Sequence, residues 1–294
     1  MSVEAIGQRL VVGEQPAPEN RPSLRRRAGR LVLPIYTFLA VAYLFLPIAV
    51  MIAFSFNDPR GRQNITWQGF TLDNYATIWG RPDIIEPMIR SLSVAVISTI
   101  IATVLGTLIG LALTRYSFRG RAPINMFIFL PMATPEIIMG ASLLALFVSV
   151  GWQRDLPTIV IAHVMFNISY VTVTVRARLA GFNRTLEEAA MDLGADEWTT
   201  FRKVTLPLIF PGILAAALLA FALSIDDYVI TSFVAGQATT FPLWVFGVSR
   251  LGVPPEVNVL GTIIFLIAFG FIGVQIVSQR RRASSESAPV PRIR

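Results

Sequence analysis

Six stretches of this chain run for 20 residues or more with almost no charge, and this pattern decides most of what it can fold into. They are 31–56, 91–114, 124–150, 156–175, 207–234 and 257–277. Crossing the hydrocarbon core of a bilayer takes about 20 apolar residues as a helix, or about 10 as a barrel strand. Lipid offers no hydrogen bonds to the backbone, so the spanning segments must be helices or a closed barrel. These runs are far too long for barrel strands. The reading is an all-α polytopic membrane protein with six transmembrane helices. Leu31–Phe56 has 26 residues without a charge, too long for a signal peptide core, and reads as an uncleaved first span.

Composition agrees. Charged residues make up 15% of the 294, against about a quarter in soluble domains. There is no cysteine, which excludes a disulfide framework and a thiolate metal site. The net charge of +7 raises the possibility of nucleic acid, but the arginines answer that by position. They cluster in the N-terminal tail (Arg25, Arg26, Arg27, Arg30), after the second run (Arg115, Arg119, Arg121), after the fourth (Arg176, Arg178, Arg184, Arg202, with Lys203) and after the sixth (Arg280, Arg281, Arg282). The third and fifth connections hold only Arg154 and Arg250, while the first, 57–90, has four arginines balanced by Asp58, Asp73, Asp83 and Glu86. Basic loops stay in the cytoplasm. Both termini are therefore expected there, and no nucleic acid is needed to account for the charge. The domain reading is a disordered basic tail over 1–30, a six-helix transmembrane domain over 31–278 with a cytoplasmic loop at 176–206, and a cytoplasmic tail over 279–294.

That loop is the most structured connection. Thr185-Leu-Glu-Glu188 predicts a capping box, with Thr185 and Glu188 satisfying each other's backbone amides. The helix it starts is expected to stop at Gly194, in a left-handed cap. Asp196 then caps a second short helix reaching Val204, and Pro207 opens the fifth span.

Ionisable groups inside spans are costly, and they mark pathways or interior contacts. Three acids qualify. Glu136 follows Pro131 and Pro135 and lies ~18 Å into the third run at 1.5 Å per residue. Asp226 and Asp227 lie ~28–30 Å along the fifth. On the fourth, His163, Asn167, Tyr170 and Thr174 form one polar stripe at helical spacing that should face the bundle interior. Gly106-x3-Gly110 signals close helix packing. With no lysine or arginine in the spans, the acids favour a cationic solute. They serve either as binding groups or as the source of the local field. The plainer alternative for the aspartates is a cap or an interhelix hydrogen bond. A Ser142–His163 protease dyad lacks a glycine after Ser142, where Leu143 and Leu144 follow, and any cluster of oxyanion donors, so no catalytic residue and no metal site are assigned.

The spacing Glu188-Ala189-Ala190, three residues, Gly194, nine residues, Val204-Thr205-Leu206-Pro207 resembles the EAA motif of ATP-binding-cassette importer permeases, with valine in place of isoleucine. Three stretches, 129–147, 161–195 and 222–258, are similar to the second permease subunit of spermidine/putrescine importers. The resemblance covers spans two to six. It implies a type I importer permease fold in which Glu188, Ala189, Ala190, Gly194, Leu206 and Pro207 couple the chain to an ATPase. It further implies that Glu136, Asp226, Asp227, His163, Asn167 and Tyr170 line the substrate path. The implied partners are an ATPase dimer carrying ATP and magnesium, a second homologous permease subunit, and a periplasmic or lipid-anchored binding protein. The chain itself would hold no cofactor, and it would sit in the bacterial inner membrane. It lacks the G-x4-G-K-[ST] loop that cradles phosphates, so hydrolysis belongs to another chain. Polyamines lead as substrate, with opines and aminophosphonates as related alternatives. An ion-driven secondary transporter is the rival class, and it leaves the motif spacing unexplained.

Overall fold

The computed structural model describes residues 24–61, 63–267 and 269–270. The expected tails and the end of the sixth run lie largely outside them. The chain divides into two units, Met1–Met51 and Ile52–Arg294. Helix α1 runs over Leu24–Ser55, so the helix begins seven residues ahead of the expected boundary at Leu31. The second unit continues with a short helix α2 (Asp73–Thr77), then α3 (Pro82–Arg115), α4 (Arg121–Ala133), α5 (Glu136–Ser149) and α6 (Leu156–Ala180). After these come α7 (Thr185–Asp192), α8 (Glu197–Thr200), α9 (Leu206–Ile225), α10 (Val229–Val234), α11 (Phe241–Ser249) and α12 (Pro255–Ile267). Four helical stretches among the described residues are long and apolar enough to cross a bilayer: Val32–Ser55, Pro82–Arg115, Leu156–Ala180 and Glu197–Ile225.

Two of the expected spans are broken. The third run was expected as one kinked helix over 124–150. Instead α4 and α5 meet at 109° across Thr134-Pro135. Pro135 has no amide to continue the ladder, and it pushes Thr134 into extended backbone (ψ 130°). The fifth run was expected to be helical over 207–234. It stops at Ile225 and resumes at Val229, leaving Asp226, Asp227 and Tyr228 between.

The centre of the second unit is α3, against which α6 and α9 pack. Gly106 and Gly110 make the α3–α6 seam. A methyl group on Gly106 would stand 2.7 Å from the Val171 Cβ, and one on Gly110 3.4 Å from the Thr172 carbonyl oxygen. Thr172 donates its hydroxyl to the Gly106 carbonyl (3.2 Å). Small residues thus let two backbones approach and hydrogen-bond within lipid. Around the glycines, Ala102, Val171, Val175, Ile209, Ala216 and Ala220 form one buried cluster from three helices. A second cluster joins α5, α6 and α10 through Met139, Leu143, Phe147, Ile159, Ile230 and Val234. These contacts fix direction: α3 and α6 run parallel, and α9 runs back along them.

Asp155 starts α6 with a capping box. Its carboxylate accepts from the Leu156 amide (2.8 Å), and the Thr158 hydroxyl accepts from its own amide (2.9 Å). The Thr158 hydroxyl also donates to the Val234 carbonyl (2.8 Å), tying α10 to the start of α6. The 57–81 loop folds around Asn57, which is fully buried. Its amide group donates to Asn64 Oδ1 (2.6 Å) and the Thr66 carbonyl (2.8 Å), and its Oδ1 accepts from the Gln68 amide (2.7 Å). Arg81 then bridges Asp83 (2.9 Å) and Glu256 (2.7 Å), joining the start of α3 to α12.

Candidate functional site

The 181–206 connection is built from its caps outward. The expected capping box at Thr185 does not form. Thr185 is itself the first helical residue, and both its amide (3.1 Å) and its hydroxyl (2.9 Å) donate to Asn183 Oδ1. Asn183 closes an Asx turn two residues ahead of the helix and so takes the role expected of Thr185. That leaves Glu188 exposed beside Ala189 on the outer face. Gly194 ends α7 with φ +90°, the left-handed cap expected of it. Asp196 caps α8 by accepting from the Thr199 amide (3.1 Å). The Thr199 side chain first, and then its amide, hold the Asp196 carboxyl below the usual carboxylate range. Leu193 (90% exposed) and Trp198 (66%) present apolar surface at the turn.

The second short helix does not end before the span. From Glu197 to Ile225 the chain is one helical rod. It contains a π turn at Phe201–Thr205, where the Leu206 amide reaches back five residues to the Phe201 carbonyl. The cause is local. Pro207 cannot donate to the carbonyl four residues back, and its ring crowds it, so the ladder widens by one residue just ahead of it. Leu206 and Pro207 are therefore the root of α9 rather than the start of a separate helix.

Glu187, the residue before the motif glutamate, faces inward. One of its carboxylate oxygens accepts from both the Arg115 guanidinium, at the end of α3, and the Thr205 hydroxyl, in the π turn. Arg115 and Glu187 are mostly buried, with side-chain exposures of 26% and 13%, and Thr205 is fully buried. Arg184 adds a contact to the Thr114 carbonyl (3.5 Å). Around these residues lies a cup of about 800 Å³, walled by Met191, Trp198 and Phe201, with the last two rings stacked at 5.8 Å.

The polar stripe on α6 leads to a second constellation. His163 is 3% exposed and Asn167 fully buried, while Tyr170 is half-buried with its ring 4.9 Å from that of Phe166. His163 Nδ1 lies 2.6 Å from the Ser224 hydroxyl, which meets the Ser98 hydroxyl at 3.0 Å. His163 Nε2 lies 2.9 Å from the Thr231 hydroxyl and 3.2 Å from Asp227 Oδ2. Thr231 gives its own hydroxyl hydrogen to Asp227 (2.7 Å), so towards His163 it accepts, which puts a hydrogen on Nε2. Asp227 also accepts from the amides of Ile230 (3.3 Å) and Thr231 (2.8 Å) and thereby caps α10. One chain of hydrogen bonds thus joins α3, α6, α9 and α10 at the break.

The three acids do not converge on one point. Asp227 is drawn into this network. Asp226, its neighbour, ends α9 and is exposed. Glu136 is exposed in the first turn of α5, beside the bend. Each exposed carboxylate stands at a helix break. Residue spacing alone does not reveal Arg115, Glu187, Thr205, Ser98, Ser224 or Thr231. Most of their partners lie 18 to 126 residues away; the local contacts are Thr231 with Asp227, four residues apart, and the cap made by Asn183.

The comparisons agree with this architecture. Residues 102–282 match the family described as binding-protein-dependent transport system inner membrane component. The chain is 39% identical over 238 residues to the spermidine/putrescine transport system permease protein PotC of Haemophilus influenzae, covering 81% of this chain and 92% of that one. It is also 39% identical over 247 residues to the putrescine transport system permease protein PotI of Escherichia coli K12, covering 81% and 87%. In fold it is similar to a chain of a bacterial transporter that imports the acidic polysaccharide alginate, with a TM-score of 0.63 at 16% identity over 88% of this chain and 98% of that one. The chain belongs to the family of binding-protein-dependent transport system inner membrane components and is a permease subunit of an ATP-binding-cassette transporter.

Proposed function

We propose that this permease carries polyamines, putrescine and spermidine, inward across the bacterial inner membrane. The observation that carries the reading is the pair of exposed carboxylates, Glu136 and Asp226, each at a helix break in a chain whose relatives are named for these amines. Irregular backbone inside a membrane is tolerated where it lines a cavity. Carboxylates there lower the cost of moving a polycation through. A dication moving inward also gains ~4.6 kcal/mol per 100 mV, at ~2.3 per charge.

In this reading the chain crosses six times with both termini in the cytoplasm, and the α7–α8 turn is cytoplasmic. The alternating distribution of arginines supports that orientation. The face of α7 with the exposed Glu188 and Ala189 and the half-buried Ala190, together with the turn at Gly194, is the docking surface for an ATPase dimer that holds the ATP and magnesium. A second homologous permease subunit supplies the other half of the path. A periplasmic or lipid-anchored binding protein delivers the amine. ATP binding closes the ATPase, the docked helix moves, the path opens outward, and hydrolysis resets it.

The test is uptake of labelled putrescine and spermidine by cells lacking their own polyamine importers, expressing this chain with its neighbouring transporter genes. The proposal expects uptake that needs ATP and falls in Asp226→Asn. An assembled complex with active ATPase that takes up neither amine overturns the substrate assignment and turns the search to opines and aminophosphonates. Uptake without any ATPase overturns the mechanism.

A further inference from the structure

Glu187 is a carboxylate held at the junction of three helices, and the docking surface does not use it. It lies on α7 and binds α3 through Arg115 and the root of α9 through Thr205, with both donors on the same oxygen. Its neighbour Glu188 points away to solvent. A single helix of eight residues has little stability of its own and no axial grip on its surroundings. Without such a link, a push on α7 would rotate it about Gly194 and the Asn183 turn.

We propose that Glu187, Arg115 and Thr205 form a clamp that turns movement of α7 into movement of α3 and α9. This rests on the reading that an ATPase drives the chain through α7. The clamp is placed where force can pass. Arg115 is the last residue of α3, and Thr205 is the last residue of the π turn. π turns are frequent at functional sites, and this one has an added residue to absorb a change of angle. A charge-assisted hydrogen bond in a mostly buried site is strong and directional. Because Arg115 and Thr205 meet at one oxygen, α3 and α9 shift together when that oxygen shifts. Glu187, Arg115 and Thr205 are positioning residues; none of them needs to touch the transported solute.

The experiment uses the complete transporter in proteoliposomes and reads amine taken up per ATP hydrolysed, with the binding protein present. Glu187→Gln removes the charge and Thr205→Val removes one of the two donors. Each should lower the ratio, Glu187→Gln by about tenfold, the scale of one charge-assisted hydrogen bond. Exchanging the partners, Arg115→Glu with Glu187→Arg, should recover at least half of the wild-type ratio, while either half of the exchange alone should not. An unchanged ratio in both single variants overturns the proposal. So does an exchange that recovers nothing, or failure of both single variants to assemble, since the contact then serves folding alone. Wild-type uptake that proceeds without the ATPase defeats the underlying reading instead, and it does so before any variant is compared.

Discussion

Asp226 and Asp227 are consecutive in sequence and opposite in environment. Asp227 is held by His163 and by the amides and hydroxyl at the start of α10, while Asp226 is exposed at the end of α9. The break between the two helices separates them. A charge pair read from sequence is therefore two different devices. Asp227→Asn should destabilise the protein, by about 1.5–3 kcal/mol for loss of an ionised acceptor, and lower its thermal midpoint in detergent. Asp226→Asn should leave that midpoint unchanged and reduce amine uptake. Equal losses of stability from the two substitutions would contradict the assignment.

The α3–α6 seam makes a steric prediction. A side chain at Gly106 meets Val171 Cβ and Cγ1, both at 2.7 Å, and the Ile168 carbonyl at 3.1 Å. Gly106→Leu should force the helices apart and cost about 1–3 kcal/mol or more, as overpacking does. Gly247 has open space around it, so Gly247→Ala should be tolerated. Expression level and gel-filtration profile in detergent distinguish the two.

At Gly194 the constraint is backbone conformation, because nothing crowds the position and φ is +90°. Gly194→Asp should insert normally, strain the turn by about 1–3 kcal/mol, and reduce uptake far more than protein level. Unimpaired uptake in that variant would separate the turn from transport altogether.

The Asp196 cap makes a prediction about pH. Its carboxyl is held below the ordinary range by Thr199, so the folded form favours the ionised group. The cap's contribution is present above the unfolded pKa and lost as pH falls through the lower, folded one. Hydrogen exchange at the Thr199 amide, corrected for intrinsic rates, should show constant protection from pH 8 to about 5 and loss of protection only below the usual carboxylate range. Asp196→Ala should show the low protection at every pH.

Much of the fold was legible because hydrophobic length is a one-dimensional signal. The runs at 91–114 and 156–175 became α3 and α6, and Gly194 and Asp196 were read from local stereochemistry. The two broken spans were half legible. Pro131 and Pro135 announced a disturbance, yet nothing in a single sequence says whether proline bends a helix by 20° or by the 109° seen at Thr134-Pro135. The Asp226-Asp227 break carries no proline or glycine, so its cause is tertiary: His163 and the α10 amides compete successfully for Asp227. At Thr185 the expected capping box is replaced by a turn closed by Asn183. Asn183 Oδ1 takes both the amide and the hydroxyl of Thr185, which leaves that hydroxyl unavailable as a cap. The contacts of Glu187 were not legible, because its partners Arg115 and Thr205 lie 72 and 18 residues away, on α3 and in the π turn.

The unbroken helical path from Glu197 to Ile225 has a mechanical consequence. From Thr205 to the exposed carboxylate of Asp226 is about 30 Å at the helical rise per residue. Pivoting such a rod by about 10° at its widened turn swings the distal end by roughly 5 Å, close to the diameter of an alkyl chain with its hydrogens. Leverage thus comes from length rather than from any large local rearrangement: a small tilt at the π turn is enough to move the Asp226 carboxylate at the far end of the rod by roughly 5 Å.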